Sequence, residues 1–181
     1  MRFALALAAA ALLTAPATAA LAPGAKAPDF KTRGGQAGRI VNVHLASLLK
    51  KGPVVLYFFP AAGTSGCNAE AKAFAEAIPQ FTAAGATVVG MSADSVEVLR
   101  DFSNKECAGK FTVASAGPKV ISGYDVALGR QIKTPSGAMI NATNRTSYVI
   151  AKNGRIAYAH SELDASHHVS NTLTAVRALK R

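Results

Sequence analysis

The sequence predicts an α/β fold in which a mixed central sheet is flanked by helices. The apolar run Val54–Phe59 follows the turn residues 50–53 and has the length and composition of a buried strand. A second, β-branched run, Ala86–Ser92, follows an alanine-rich stretch that is typical of a helix. Later in the chain, Asn153-Gly154 separates two apolar runs, which is the strongest short signal for a hairpin. Strands that alternate with helices and end in a hairpin are typical of a mixed sheet with helices on both faces.

The first half of the chain leads up to one long predicted helix. Gly34-Gly35 indicates a turn, and Ile40–Leu45 indicates the strand that follows it. The helix begins after Thr64, a favourable N-cap residue, and includes Asn68–Ala77. We expect Pro79 to end or kink this helix, because proline lacks a backbone N–H and clashes with the preceding turn.

The second half of the chain contains shorter elements. Asp94 followed by Glu97 resembles a capping box and predicts a helix that extends to about Cys107. Residues 125–143 include Gly129 and Gly137 and are predicted to form a loop. The remaining predictions are a strand at Phe111–Ser115, a helical turn at Val120–Tyr124, hairpin strands at Ser147–Ala151 and Ile156–Ala159, and an amphipathic helix at Ser166–Arg181.

Residues 1–19 have the pattern of a secretory signal peptide. Met1-Arg2 is a basic start, Phe3–Leu13 is a short apolar core, and Ala17–Ala19 is a small-residue cleavage site. The core is too short to span a bilayer comfortably, although an uncleaved anchor remains an alternative. Cleavage after Ala19 leaves residues 20–181 as one domain that is long enough to bury its own core. The sequence therefore predicts an exported, periplasmic protein without stable membrane insertion.

The positive charge of the chain does not indicate a nucleic-acid-binding surface. Lys and Arg number 20 against 10 Asp and Glu, which gives a formal net charge of +10. The basic residues are scattered, and the only adjacent pairs are Lys50-Lys51 and Lys180-Arg181. No aromatic residues are interleaved with them, so we interpret them as a solvated surface and expect no nucleic-acid partner.

Cys67 lies where a predicted strand passes into a predicted helix, which is where ligands and chemistry gather in α/β folds. The first N–H groups of a helix have no intrahelical partner, and the helix dipole places partial positive charge there. Both effects favour the thiolate of Cys67 over the thiol. The alternative is a buried cysteine that packs as a small hydrophobic residue.

The other potential ligands do not form a metal-binding pattern. The second cysteine, Cys107, is 40 positions from Cys67, so the two form neither a Cys-x-x-Cys redox pair nor a zinc framework. The four histidines also lack ligand spacing, and we expect them to be solvated: His44, His160, His167 and His168. In an exported protein the two cysteines could form a disulfide.

Several of these residues together resemble the active-site pattern of the peroxiredoxins, nearest to their bacterioferritin-comigratory, or PrxQ-type, branch. The family pattern Pro-x-x-x-Thr-x-x-Cys is matched by Pro60, Thr64 and Cys67, and the Cys-x-x-Glu continuation of the branch is matched by Glu70. Arg145 precedes a late strand, as the arginine of the family does. Two further matches are the entry phrase Ala27–Phe30 and the stretch Val88–Asp94.

The resemblance implies a thioredoxin-like fold and a thiol-dependent peroxidase that reduces hydroperoxides without a metal or an organic cofactor. Cys67 would attack the peroxide as a thiolate and become a sulfenic acid. Arg145 would favour the thiolate and donate hydrogen bonds to the transition state, while Thr64 would bond the thiolate or the peroxide. Pro60 would shield the sulfur from water. Glu70 would hold Arg145 in place, or would simply be a favourable acid in the first helical turn.

The resemblance leaves the role of Cys107 open. Many PrxQ-type proteins carry a resolving cysteine five residues after the first, and here Lys72 occupies that position. Others carry it on the next helix, about where Cys107 lies, so Cys107 is the candidate resolving residue. A disulfide to Cys67 would then need local unwinding. Otherwise the enzyme would use a one-cysteine cycle with an external thiol.

The resemblance also implies a partner and an assembly. The implied partner is a thioredoxin-like reductant, which would be periplasmic if the chain is exported. The implied assembly is a monomer or weak dimer.

Three alternative functions use the same fold class. A thiol–disulfide oxidoreductase would need Cys-x-x-Cys, but position 70 is Glu70. A copper-delivery relative would need Cys-x-x-x-Cys, but position 71 is Ala71. A non-catalytic binding module would keep Cys67 and Cys107 in a permanent structural disulfide.

Overall fold

The computed structural model describes residues 20–179, and these form an α/β domain. The predicted signal peptide, residues 1–19, lies outside the described residues. Within residues 20–179, no helix combines the length and apolar character needed to cross a membrane. The elements are β1 (Lys31–Gln36), β2 (Arg39–His44), α1 (Leu45–Leu49), β3 (Val54–Phe58), α2 (Ser65–Ala83), β4 (Thr87–Ser92), α3 (Val96–Lys105), β5 (Thr112–Ser115), α4 (Pro118–Gly123), β6 (Ala127–Lys133), β7 (Met139–Thr143), β8 (Thr146–Ile150), β9 (Ile156–Ser161) and α5 (His168–Ala178).

The central sheet has seven strands in the order β2-β1-β5-β4-β3-β8-β9. The pairs β3–β4 and β4–β5 are parallel, and the other neighbouring pairs are antiparallel. This arrangement confirms the predicted mixed sheet flanked by helices. Strands β6 and β7 form a separate two-stranded sheet.

Strand β3 lies between the two halves of the hydrophobic core, because its side chains alternate between the faces of the sheet. Val55 packs with buried residues of α2, α3 and α5 on one face. Val54 and Phe58 pack with buried residues of α1 and α4 on the other. All five residues of β3 are buried, which explains why the sequence shows a continuous apolar run there.

The predicted turn at Gly34-Gly35 is wrong, because both glycines lie inside β1 and the turn follows at Ala37-Gly38. A Cβ atom on Gly34 would lie 2.3 Å from the carbonyl oxygen of Val113, and one on Gly35 would lie 2.3 Å from the Cα of Arg100. The two glycines therefore allow β1 to approach β5 and α3 closely.

The helix does not end at Pro79, one of the two outcomes predicted there, because α2 continues through Pro79 to Ala83. Proline inside a helix costs about 3 kcal/mol. Phe81, beyond the proline, is fully buried, and burial of such a side chain contributes about 1.5–3 kcal/mol. The core contacts of the last helical turn therefore offset much of the cost of Pro79.

Residues 125–143 do not form the predicted loop, because they fold into the β6–β7 hairpin. Most side chains of β6 are exposed, so this strand lacks the apolar alternation that reveals a half-buried strand. Gly129 falls in the register shift of β6, and Gly137 forms the hairpin turn with a bond from its N–H to the Thr134 carbonyl (2.9 Å). The tip of the hairpin reaches the loop before α2, where Pro135 lies against Gly63.

We predict that Gly35→Ala destabilises the protein by about 2 kcal/mol or more, because the added methyl group overlaps the backbone of α3. The matched control is Gly123→Ala, whose added Cβ would lie at an ordinary 3.5 Å from Pro28. Urea unfolding of both variants measures the difference. Equal stability of the two variants would show that the close approach of β1 to α3 is not rigid.

Candidate active site

The structure places Cys67 in the first turn of α2, as the sequence predicts. The helix begins at Ser65 after the N-cap residue Thr64. The N–H of Asn68 donates to the Thr64 carbonyl (2.9 Å), so the N–H groups of residues 65–67 precede the first helical hydrogen bond. Cys67 is 1% exposed. Its side chain is therefore buried in the first turn, at the positive end of the helix, whereas the preceding residues Ser65 and Gly66 are exposed.

A buried carboxylate fixes the loop that leads into α2. Oδ2 of Asp94 accepts a bond from the N–H of Ala62 (2.8 Å) and one from the hydroxyl of Ser92 (2.7 Å). Burial raises the pKa of Asp94, and these two bonds oppose the rise. The prediction of Asp94 as a helix cap is wrong, because Ser95 is the N-cap of α3 and accepts from the N–H of Val98. Asp94 instead holds the cysteine loop.

The register of the sheet brings Arg145 to Cys67. In the antiparallel pair β3–β8, Thr146 lies opposite Phe58. Arg145 directly precedes Thr146, so it lies at the end of the sheet where β3 passes into the cysteine loop. The hydroxyl of Thr143 also donates to the Phe59 carbonyl (2.7 Å), which ties the end of β7 to this loop.

The guanidinium of Arg145 has a separate partner for each of its three nitrogens. Nη2 lies 3.6 Å from Sγ of Cys67, and Nη1 donates to Oε2 of Glu70 in an ion pair. Nε donates to the carbonyl oxygen of Leu163 (2.7 Å). Arg145 is only 5% exposed. The planar fork of arginine matches this arrangement because it presents donors from three separate nitrogens, whereas a lysine ammonium presents all its donors from one.

Glu70 lies three residues after Cys67 on α2 and is buried. Burial raises its pKa to about 7, although the charge of Arg145 and the hydrogen bond to it act in the opposite direction. Its second oxygen, Oε1, is buried without a hydrogen-bond partner among the described residues. The sequence left open whether Glu70 supports Arg145 or only favours the helix start, and the structure shows a direct contact with Arg145.

His168 lies behind this ion pair and is completely buried, so the expectation of four solvated histidines is wrong. Its Nδ1 is 2.7 Å from the hydroxyl of Ser147 and 4.0 Å from Oε1 of Glu70. Burial lowers the pKa of His168 to about 4. The spacing of His168, Thr172 and Val176 at intervals of four could have revealed it, because all three are buried on one side of α5.

The other predicted residues lie around the sulfur with different contacts. The hydroxyl of Thr64 donates to the Ala61 carbonyl (3.1 Å) and makes no cap bond to α2. Its oxygen lone pairs therefore remain available as acceptors. Pro60 is half-buried at the start of the same loop. Within the described residues, no group of three or more His, Cys, Asp or Glu is arranged to hold a metal ion.

Cys107 is a free thiol in the same hydrophobic cluster as Cys67. It lies in the turn after α3, where its N–H donates to the Phe102 carbonyl (3.4 Å). Burial raises the pKa of the Cys107 thiol, and Glu106 adds to this effect. Ala108, the next residue, has a left-handed φ of 48°, a conformation that costs a residue with a Cβ about 1–2 kcal/mol.

Comparison with known proteins gives a consistent family. The model of the AhpC/TSA family matches residues 23–159. The chain is 33% identical over 158 residues to the chloroplastic peroxiredoxin Q of Sedum lineare, which covers 87% of this chain and 78% of the relative. It is 32% identical over 157 residues to the chloroplastic peroxiredoxin Q of Oryza sativa subsp. japonica, with 86% of this chain and 67% of the relative covered.

Solved structures agree with this result. The crystal structure of peroxidoxin BcpB from Mycobacterium tuberculosis superposes with a TM-score of 0.74 at 27% identity, covering 88% of this chain and 98% of the other. A structure of peroxiredoxin Q from Xanthomonas campestris superposes with a TM-score of 0.68 at 24% identity, covering 82% and 91%. The second likeness supports the fold alone, and the fold is the thioredoxin-like one that the sequence predicts.

We predict that Glu70 and His168 affect folding stability in opposite directions as the pH changes. The raised pKa of Glu70 makes its contribution to the free energy of unfolding fall as the pH rises from about 4.5 to about 7. The lowered pKa of His168 makes its contribution rise as the pH rises from about 4 to about 6.5. The two slopes should nearly cancel in the native chain, and Glu70→Gln should leave a rise of up to about 1.4 kcal/mol per pH unit.

Urea unfolding at a series of pH values between about 4.5 and 6.5 measures these slopes. The matched control is Glu76→Gln, which removes an exposed carboxylate from the same helix and should keep the native slope. An identical slope for Glu70→Gln and the native chain would contradict the assignment of Glu70 as a carboxyl group that binds a proton more tightly on folding.

Proposed function

Because this chain belongs to the AhpC/TSA family and is a thiol-dependent peroxidase, we propose that Cys67 is the peroxidatic cysteine and that Arg145 is its catalytic partner. The observation that carries this proposal is the contact between Nη2 of Arg145 and Sγ of Cys67 at 3.6 Å in a buried site. The start of α2 adds partial positive charge at the same sulfur. Both features stabilise a thiolate, which is the nucleophilic form of cysteine.

In the proposed reaction, the Cys67 thiolate attacks one oxygen of a hydroperoxide. An S–O bond forms and the O–O bond breaks, so that the sulfur is oxidised to a sulfenic acid and the peroxide is reduced. The leaving oxygen takes a proton and departs as water or an alcohol. Negative charge moves from sulfur to the leaving oxygen, and Arg145 and the N–H groups of Gly66 and Cys67 are fixed donors for that charge.

Thr64 and Pro60 complete the proposed site. The Thr64 hydroxyl already donates to the Ala61 carbonyl, so it would act on the substrate as an acceptor. An O–H of the peroxide would donate to Thr64 and would thereby be oriented toward Cys67. Pro60 would limit the access of water to the sulfur from the start of the loop.

We assign Cys107 as the resolving cysteine. Its thiolate would attack the sulfenic sulfur of Cys67, form a disulfide and release water, and a thioredoxin-type reductant would then return both thiols by exchange. Both sulfurs are buried, so the turn after α3 must unwind first. The left-handed Ala108 lowers the cost of that opening. The alternative is a one-cysteine cycle in which an external thiol reduces Cys67 directly.

Export is part of the proposal and is supported by the sequence pattern of residues 1–19. An exported enzyme cannot use a cytosolic donor, so its thioredoxin-type reductant would be periplasmic. We propose that the mature domain acts as a monomer or a weak dimer, as its resemblance to the PrxQ-type branch implies.

We predict that the reduced protein loses about two mass units after about one equivalent of hydrogen peroxide, because the cycle ends in a Cys67–Cys107 disulfide. Cys107→Ser should instead gain oxygen on Cys67, and Cys67→Ser should remain reduced. Intact mass measurement with peptide mapping distinguishes these products. Oxygen gain on Cys67 in the native chain, unchanged by Cys107→Ser, would replace the two-cysteine cycle by the one-cysteine cycle. Absence of any rapid change at Cys67 would overturn its assignment as the peroxidatic cysteine.

A further inference from the structure

A buried imidazole lies against the side of Glu70 that Arg145 does not contact. His168 is on α5, is fully buried, and holds Nδ1 at 4.0 Å from Oε1 of Glu70. That oxygen is the one without a hydrogen-bond partner among the described residues. Buried polar atoms are nearly always hydrogen-bonded, so an orphaned carboxyl oxygen facing an imidazole nitrogen requires an explanation.

The contacts of His168 determine which of its nitrogens carries the proton. Nε2 lies 3.0 Å from the carbonyl oxygen of Glu162, which can only accept, so Nε2 carries hydrogen. In the neutral ring Nδ1 is then a lone-pair acceptor, and it receives a bond from the Ser147 hydroxyl (2.7 Å). If Glu70 were ionised, a lone pair of its Oε1 would face the lone pair of His168 Nδ1, and the two would repel. If Oε1 were protonated, its O–H could donate to Nδ1.

The charges in the site lead to the same conclusion. One guanidinium, Arg145, contacts two acidic groups, Glu70 and Cys67. If both acids were ionised, the buried site would carry a net negative charge beside a neutral imidazole. When two interacting acids share one cation, ionisation of one makes ionisation of the other less favourable.

We propose that Glu70 and His168 form a proton-holding pair that receives the proton of the Cys67 thiol when the thiolate forms. The inference rests on the proposed function, because it assumes that Cys67 acts as a thiolate. In this step the S–H bond of Cys67 breaks and an O–H bond forms at Oε1 of Glu70, so the total charge of the site is unchanged and nothing is oxidised. The new O–H donates to Nδ1 of His168 in competition with Ser147. His168 is thus a positioning residue that acts through Glu70.

The other charged groups around His168 are consistent with a neutral ring. His160 on β9 packs against it with ring centroids 4.7 Å apart, and both His160 and Arg145 disfavour its protonation. The carboxylate of Asp164 acts in the opposite direction, but burial has the largest effect and holds the pKa of His168 near 4. The carboxylate of Glu162 lies 3.5 Å from Nε2 of His160. Burial of Glu70, with a pKa of about 7, keeps the shared proton on the carboxyl group.

Two substitutions at His168 distinguish this role from simple packing. His168→Gln retains a donor for the Glu162 carbonyl and loses the acceptor at Nδ1. His168→Asn retains a polar group at the Nδ1 position and loses the donor at Nε2. The matched control is His167→Gln, because His167 is the exposed neighbour on the same turn. Glu70→Gln removes the titrating group itself.

The readout is the ultraviolet absorbance of the thiolate in the reduced protein between about pH 5 and 9, with Cys67→Ser as the blank. Glu70→Gln should lower the pH of half-ionisation of Cys67, because Arg145 then serves a single anion. His168→Gln should raise that pH and reduce the thiolate fraction near pH 6 by about threefold. His168→Asn should keep a higher thiolate fraction than His168→Gln, and His167→Gln should give the same absorbance-against-pH curve as the native protein. The infrared band of a protonated carboxyl group should be present near pH 6 and absent in Glu70→Gln.

Opposite shifts for Glu70→Gln and His168→Gln support the pair, since loss of packing alone would move both in one direction. Equal curves for the Gln and Asn variants at His168 would overturn it. If the His168 variants do not fold, the infrared measurement on the native protein still tests the proposal. Absence of the protonated Glu70 carboxyl band near pH 6 would overturn it. No peroxide is used, so a Cys67 that ionises independently of Glu70 refutes this inference alone, whereas a Cys67 that does not ionise by pH 9 refutes the proposed function.

Discussion

A single buried guanidinium contacts both acidic side chains of the candidate active site. Arg145 binds the carboxylate of Glu70, approaches the sulfur of Cys67 and donates to the Leu163 carbonyl. Removing an ion from water costs several kcal/mol, so a buried arginine persists only where partners satisfy its donors. Glu70 and Leu163 accept from Nη1 and Nε, and Nη2 contacts the sulfur. The interaction that stabilises the buried charge therefore also directs it toward the sulfur of Cys67.

The surrounding elements fix the positions of Arg145 and Cys67 relative to each other. Cys67 follows strand β3 after a loop that Asp94 fixes through its hydrogen bond to the N–H of Ala62. Arg145 directly precedes β8, which pairs antiparallel with β3. Helix α5 places the buried His168 next to Glu70, the carboxyl partner of Arg145. The positive end of α2 and the Glu70 carboxyl group of the same helix thus lie close to one sulfur together with the guanidinium of Arg145, which directly precedes β8. Dry surroundings strengthen each of these electrostatic effects.

The sequence predicted the features that depend on local patterns. The buried strand β3, the cysteine at a helix start and the Asn153-Gly154 hairpin each have a short-range signature, and the family pattern linked Cys67 to Arg145 across 78 positions. Two of the errors occurred where one residue type has two structural uses. Glycine occurs both in turns and where backbones pack closely, so Gly34-Gly35 was wrongly assigned to a turn. Aspartate occurs both as a helix cap and as a buried hydrogen-bond acceptor, so Asp94 was wrongly assigned as a cap. The helical spacing of α5 could have revealed that His168 is buried, but only tertiary packing shows that it faces Glu70.

The central claim is that the forked guanidinium of Arg145 activates Cys67 by serving Glu70 and the sulfur together. The most direct test is the second-order rate constant of Cys67 with hydrogen peroxide in the native protein and in Arg145→Lys, with circular dichroism to establish that the variant is folded. Lysine keeps the positive charge but lacks the rigid fork that presents separate nitrogens to Glu70 and to the sulfur, so the rate constant should fall by at least about 100-fold. A folded Arg145→Lys protein whose rate constant stays within about threefold of the native value would contradict the account.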